Sequence, residues 1–127
     1  MPRDTIQTDK APEAIGPYSQ AVRHGDTLYI SGQVPLDPAT MELVGSKIDE
    51  QIGQVLDNLD AICQGAGATL DDALKFTVYL TDLVHFQRVN EIMANRLTQP
   101  YPARAAIEIS ALPKGALIEI DAIIAMS

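Results

Sequence analysis

The chain is 127 residues long, 46% apolar and 20% charged, a balance that suits a globular body and excludes a disordered one. At that length residues 1 to 127 are expected to form a single domain that buries roughly two thirds of its unfolded surface. A formal charge of −8, with 9 basic residues scattered along the chain, excludes a nucleic-acid partner held by clustered Lys and Arg.

The start Met1-Pro2-Arg3-Asp4 lacks the apolar core of a signal peptide, and no run is long enough to cross a bilayer. A cytoplasmic protein without membrane contact is therefore expected. Cys63 stands alone and cannot close an internal disulfide, and His24 and His85 give no metal-ligand spacing.

Residues 1 to 17, with Pro2, Pro12, Gly16 and Pro17, read as an extended arm ending in a tight turn, so the fold proper is expected from Tyr18. A short strand over Ser19 to His24, a turn at Gly25-Asp26 and a strand over Thr27 to Gln33 make a hairpin. Its second strand sets Leu28, Ile30 and Gly32 against Thr27, Tyr29, Ser31 and Gln33, and a glycine inside a strand points to close approach by a backbone or a ligand. After a loop broken by Pro35 and Asp37-Pro38, Ser46 and Asp49 have the spacing of a capping box. Ile48, Ile52, Val55, Leu56, Leu59, Ile62 and Cys63 then follow a helical period until Gly65-Ala66-Gly67. That stripe puts Cys63 in the core.

Leu74 to Thr81 alternates as a strand, with Leu74, Phe76, Val78 and Leu80 on one face. Asp82 can cap a second helix, whose stripe of Phe86, Val89, Met93 and Leu97 also contains Asn90, a buried amide suited to hold a strand end or loop. Pro100 and Pro102 end that helix and lead into a strand near Arg104. Pro113-Lys114-Gly115 forms a turn. Leu117 to Ala125 returns as the last strand, with Ile118, Ile120, Ala122 and Ile124 facing one way and Leu117, Glu119, Asp121, Ile123 and Ala125 the other. Two helices can cover one face of such a sheet, so an α+β domain with a mixed sheet is expected. Its uncovered face should meet another copy of the chain.

Gly65-Ala66-Gly67 follows a helix, which removes it as a dinucleotide fingerprint. His85 in a first helical turn, Asp71-Asp72 and Asp49-Glu50 read as surface charge. Arg104, at a strand entrance fixed by two prolines, can take a carboxylate bidentately. Spacing alone favours a structural salt bridge from Arg104 to Glu108, Glu119 or Asp121 over a ligand clamp.

Several separate motifs in order resemble the RidA (YjgF) family of reactive intermediate deaminases. They are Ala14 to Ala21, Ile30 to Pro35, Gln54 to Asn58, Val89-Asn90, Tyr101 to Arg104, and Ala111-Leu112-Pro113 through Ile118-Glu119-Ile120. The resemblance implies a chorismate mutase-like mixed sheet backed by two helices on one face. It also implies a homotrimer with sites in the clefts between subunits, and cofactor-free hydrolysis of 2-imino acids to 2-keto acids and ammonia. It further implies that Arg104 binds the substrate carboxylate, that Glu119 positions and polarises the attacking water, that Tyr18, Ser31 and Gly32 line the cleft and that Asn90 supports it. The chain departs from the family pattern at Ala106, commonly a cysteine, where backbone contact to substrate is still implied but thiol chemistry is not. Met41, commonly glycine, is expected to affect a loop and not the site, and Leu97, commonly aromatic, to alter the pocket wall. The alternative reading is a non-catalytic or regulatory module that binds small carboxylates in the same cleft.

Overall fold

Side-chain alternation builds a six-stranded mixed sheet in the computed structural model, which describes residues 2–127. The strands are β1 (Asp4–Ile6), β2 (Ala21–His24), β3 (Thr27–Gln33), β4 (Ala73–Leu80), β5 (Ala103–Glu108) and β6 (Ile118–Ala125), in the spatial order β1-β2-β3-β6-β4-β5. Only β4 and β5 are parallel. Parallel neighbours need a crossover, and the helix α2 (Phe86–Arg96) supplies it. The longer helix α1 (Ile48–Gly65) carries the chain from β3 to β4, leaving between them the slot that β6 fills.

Both helices lie on one face of the sheet. Along β6, Ile118, Ile120, Ala122 and Ile124 are buried and Glu119, Asp121, Ile123 and Ala125 are half-buried, the alternation the sequence predicts. Ile52, Val55, Leu56, Leu59, Ile62 and Cys63 of α1 are completely buried against those residues and against Phe76, Val78 and Leu80 of β4. Val89 and Met93 of α2 join the same core. Burial in this apolar setting pushes the Cys63 thiol up to about 12, so it stays a protonated packing group. Among the described residues no layer covers the opposite face of the sheet, and Tyr29 and Ile107 are about half exposed on it, at 51% and 45%.

Several local expectations are corrected. The arm contributes β1, paired antiparallel to β2, so the sheet begins well before Tyr18; Met1 of that arm lies outside the described residues. No capping box starts α1: its N-cap is Lys47, without a side-chain cap bond, and Asp49 is engaged by Arg88 of α2 at 2.8 Å. That bidentate pair holds the Asp49 carboxyl below its ordinary range. Asp71 accepts from Thr98 and Asp72 caps Thr69, so these acids too have structural partners. Register shifts explain two misplaced side chains: one between Ile30 and Gln33 buries Gln33 and leaves Gly32 outward, and one between Ala73 and Lys75 leaves Leu74 half exposed. The Pro113–Gly115 turn does not close a hairpin, because β4 lies between β5 and β6.

Three buried amides tie the loops to this frame. Gln20 donates to the carbonyls of Thr8 and Pro12 and accepts from Thr8 N at 2.7 Å, which docks the arm. Gln51 of α1 donates to Gly45 O and accepts from Leu117 N at the entrance to β6, each at 2.8 Å. Asn58 donates to the carbonyls of Val34 and Leu36, which fixes the loop that leaves β3. An unpaired buried polar group costs about 1–3 kcal/mol. Asn58→Ala is therefore expected to lower stability by about 2 kcal/mol in urea denaturation at fixed protein concentration. Exposed Asn95→Ala should shift it by less than about 0.5 kcal/mol.

Candidate active site

The register of the sheet decides which candidate residues can meet. Arg104 on β5 pairs with Phe76 on β4, whose side chain faces the helices; Glu119 on β6 pairs with Tyr79 on β4, whose side chain faces the open side. Paired residues share a face and consecutive residues do not. Arg104 and Glu119 therefore stand on opposite faces of one sheet and belong to two separate cavities.

The Arg104 cavity, of about 460 Å³, is walled by Phe76, Met93, Leu97 and Tyr101. Arg104 Nη1 donates to Asn90 Oδ1 at 2.5 Å, and the guanidinium carbon lies 5.1 Å from the centre of the Phe86 ring, within reach of a cation–π attraction. The amide of Asn90 thus holds the strand end, but it is half-buried and not buried as expected, and Phe86 at the start of the same stripe is exposed. The expected salt bridge is absent: among the described residues the ion pairs are Arg88 with Asp49 and Glu91, and Arg96 with Asp57. Glu108 instead accepts from Leu83 N, and Asp121 accepts from Tyr79 Oη at 3.0 Å. The guanidinium is aimed by a neutral amide and an aromatic face, which leaves its charge free for an anion. Ala106 lies two residues on, on the same face, half-buried against the core beside Val78.

The Glu119 cavity, of about 660 Å³, brings Tyr18, Ser31, Gly32 and Glu119 together. Ser31 Oγ donates to Ser19 O at 2.6 Å, which joins β3 to the segment carrying Tyr18. Tyr18 itself is 53% exposed. The close approach at Gly32 is made by neither a backbone nor a ligand but by the Glu119 side chain: a Cβ at position 32 would lie 2.6 Å from Glu119 Oε2. Burial raises the Glu119 carboxyl above its ordinary range, and the neighbouring Asp121 carboxylate adds to the shift. The same Asp121 pushes the Tyr79 phenol up through their hydrogen bond. A carboxylate whose pKa is raised is a stronger base, suited to take a proton and return it.

Sequence reasoning missed Lys114 and Met41. Both line the Glu119 cavity, and Lys114 Nζ donates to Met41 O at 2.8 Å. The positions carry turn residues and no periodicity, so the sequence offered no signal beyond a loop. Met41, expected to affect a loop, also borders the cavity that holds Glu119. Leu97 does line a pocket wall, as expected. Among the described residues no three His, Cys, Asp or Glu side chains gather to hold a metal, and no helix is long and apolar enough to cross a membrane.

Comparison with known proteins extends over nearly the whole chain. Residues 8–126 match the family profile described as Endoribonuclease L-PSP. A RutC family protein of Pyrococcus abyssi is 47% identical over 97% of both chains. A mouse protein named 2-iminobutanoate/2-iminopropanoate deaminase is 48% identical over 95% of this chain and 90% of its own. The crystal structure of RidA from an Antarctic Psychrobacter superposes with a TM-score of 0.93 at 53% identity, covering 97% of this chain and 99% of that one. By sequence and by its chorismate mutase-like sheet, the chain belongs to the RidA family.

Proposed function

We propose that the protein hydrolyses 2-imino acids to 2-keto acids and ammonia, without a cofactor, at a site shared between copies of the chain. One observation carries the reading: Arg104 is aimed yet has no carboxylate partner among the described residues, while Glu119, with its raised pKa, lies on the other face of the sheet. A substrate a few ångströms long cannot reach both through one sheet. It can do so where the Arg104 face of one copy meets the Glu119 face of the next, and the uncovered sheet face supports such an assembly. A cyclic homotrimer repeats that contact three times and closes it.

The mouse relative named as an imine deaminase supports the same substrate class. In this scheme Arg104 of one copy takes the substrate carboxylate and fixes the imine carbon over Glu119 of its neighbour. Glu119 accepts a proton from water as the water oxygen bonds to the imine carbon and the C=N electron pair moves to nitrogen. It then returns the proton to that nitrogen. Glu119 then carries the hydroxyl proton to the nitrogen, so that the C–N bond breaks with ammonia as the leaving group and the carbonyl forms. Tyr18, Ser31 and Gly32 line the Glu119 half, Asn90 holds Arg104 in aim, and the backbone at Ala106 lies beside the substrate. The name Endoribonuclease L-PSP describes the family profile, but a formal charge of −8 offers little hold on a polyphosphate chain.

Imine decay should be followed directly with the wild type and three variants. Arg104→Ala should lower kcat/KM by about 10²-fold and abolish keto-acid binding in calorimetry. Glu119→Gln should lower kcat by about 10²–10⁴-fold while keto-acid binding survives. Gly32→Ala should displace the carboxylate and lower kcat by at least about tenfold. Keto-acid binding with no imine turnover by the wild type would favour a carboxylate-binding module instead.

The raised pKa carries a sign that can be checked. Burial penalises the ionised form of Glu119 in the folded state, so its cost is present above the folded pKa and vanishes once the group is protonated. Glu119→Gln should therefore raise Tm at pH 7, and the gain should shrink as pH falls through the carboxylate range. In the wild type, the acid limb of kcat/KM should have its midpoint above the ordinary 4.5.

A further inference from the structure

Among the described residues two that are not glycine occupy the left-handed region, Met41 at φ 61° and Lys114 at φ 58°. They come from distant parts of the chain, yet the Lys114 ammonium donates to the Met41 carbonyl at 2.8 Å, and both line the Glu119 cavity. A Cβ makes this conformation costly, whereas glycine adopts it freely. Strain of this kind persists only where surrounding bonds enforce it. At Met41 they do: its N–H donates to Asp37 O at 2.8 Å, Asp37 N donates to Glu42 O at 2.9 Å, and Leu36 bridges to Leu43. Lys114 engages the remaining carbonyl.

Met41 also lines a second groove, of about 530 Å³, that runs along the N-terminal arm. Glu13, Tyr18, Gln20 and Met41 border both spaces, so they form the partition between them. Gln20 is buried and fixed by the arm carbonyls. Met41 is the flexible apolar member, and a methionine adapts its shape to what it meets. What a side chain at this strained position supplies, and glycine would not, is volume in the wall beside Glu119.

We propose that Met41 is a specificity-determining residue. Its side chain closes the partition between the Glu119 cavity and the arm groove and limits the length of the substrate side chain. Lys114 is a positioning residue that clamps the Met41 backbone in place. This rests on the imine-hydrolase reading of the Glu119 cavity. In a hydrophobic pocket the space of a single methylene shifts selectivity by about tenfold or more.

The test compares the full-length wild type with Met41→Gly, Met41→Ala and Lys114→Met on imines generated from alanine, 2-aminobutyrate, leucine and phenylalanine. Calorimetry of the matching 2-keto acids is run beside it. The ratio of kcat/KM for the leucine-derived over the alanine-derived imine should rise about tenfold in both Met41 variants, and less in Lys114→Met. Met41→Gly should melt no lower than Met41→Ala, because glycine alone relieves the backbone. An unchanged ratio in folded variants overturns the proposal and leaves imine hydrolysis standing. A wild type without turnover, whose keto-acid size preference nevertheless relaxes in Met41→Gly, keeps the wall and overturns the hydrolytic reading. Absence of both turnover and keto-acid binding in the wild type overturns both.

Discussion

The period of two along β6 is the constraint on which the rest depends. As a central strand, paired on one side with β3 and on the other with β4, it must bury alternate side chains under the helices, and it does so with Ile118, Ile120, Ala122 and Ile124. The residues between them, Glu119 and Asp121 included, are then committed to the other face. β4 takes its register from β6 and passes it to β5, so Arg104 falls on the helix side. A one-residue slip would reverse every assignment and put two carboxylates into the core, which is why the register is so strongly specified. The separation of Arg104 from Glu119 follows from burying a core.

That core positions its loops through amides rather than charges. Gln20, Gln51 and Asn58 are almost completely buried, at 3%, 1% and 1% exposure, and each bonds backbone groups of a segment bordering the Glu119 cavity or β6, Asn58 accepting from the Gln54 side chain as well. An amide satisfies buried carbonyls and N–H groups without the desolvation cost of an ion. Two charged groups stand in the candidate cavities without an ionic partner among the described residues, the Arg104 guanidinium and the half-buried Glu119 carboxyl. One is aimed by Asn90 and Phe86; the other lies against the bare backbone of Gly32.

What could be read from the sequence follows the physics of repetition. The apolar stripe of α1 and the alternation of β6 each rest on many residues, so their core faces were legible, including the burial of Cys63. Features set by a single local choice were not. The two register shifts displaced Gln33 and Leu74 from the faces that alternation assigned them, and β1 is too short and polar to show a period. Ser46 and Asp49 have the right spacing for a cap, but Arg88, distant in sequence, takes the aspartate. The site was legible only as a set of residues. Spacing favoured an ion pair for Arg104 and could not reveal that sheet register keeps the candidate acids on β6 away from it. Met41 and Lys114 were legible only as loop and turn positions, the first where glycine is common, because a loop-to-loop bond leaves no pattern in sequence.

If the two halves of the site come from different copies of the chain, inactive variants should repair one another. Arg104→Ala and Glu119→Gln subunits are co-refolded in equal amounts, with co-assembly confirmed by differential tags, and imine hydrolysis is measured. A site that takes Arg104 from one copy and Glu119 from the next restores about a quarter of wild-type activity on random mixing. Activity no higher than that of the separate variants, in proven mixed oligomers, would contradict the shared site.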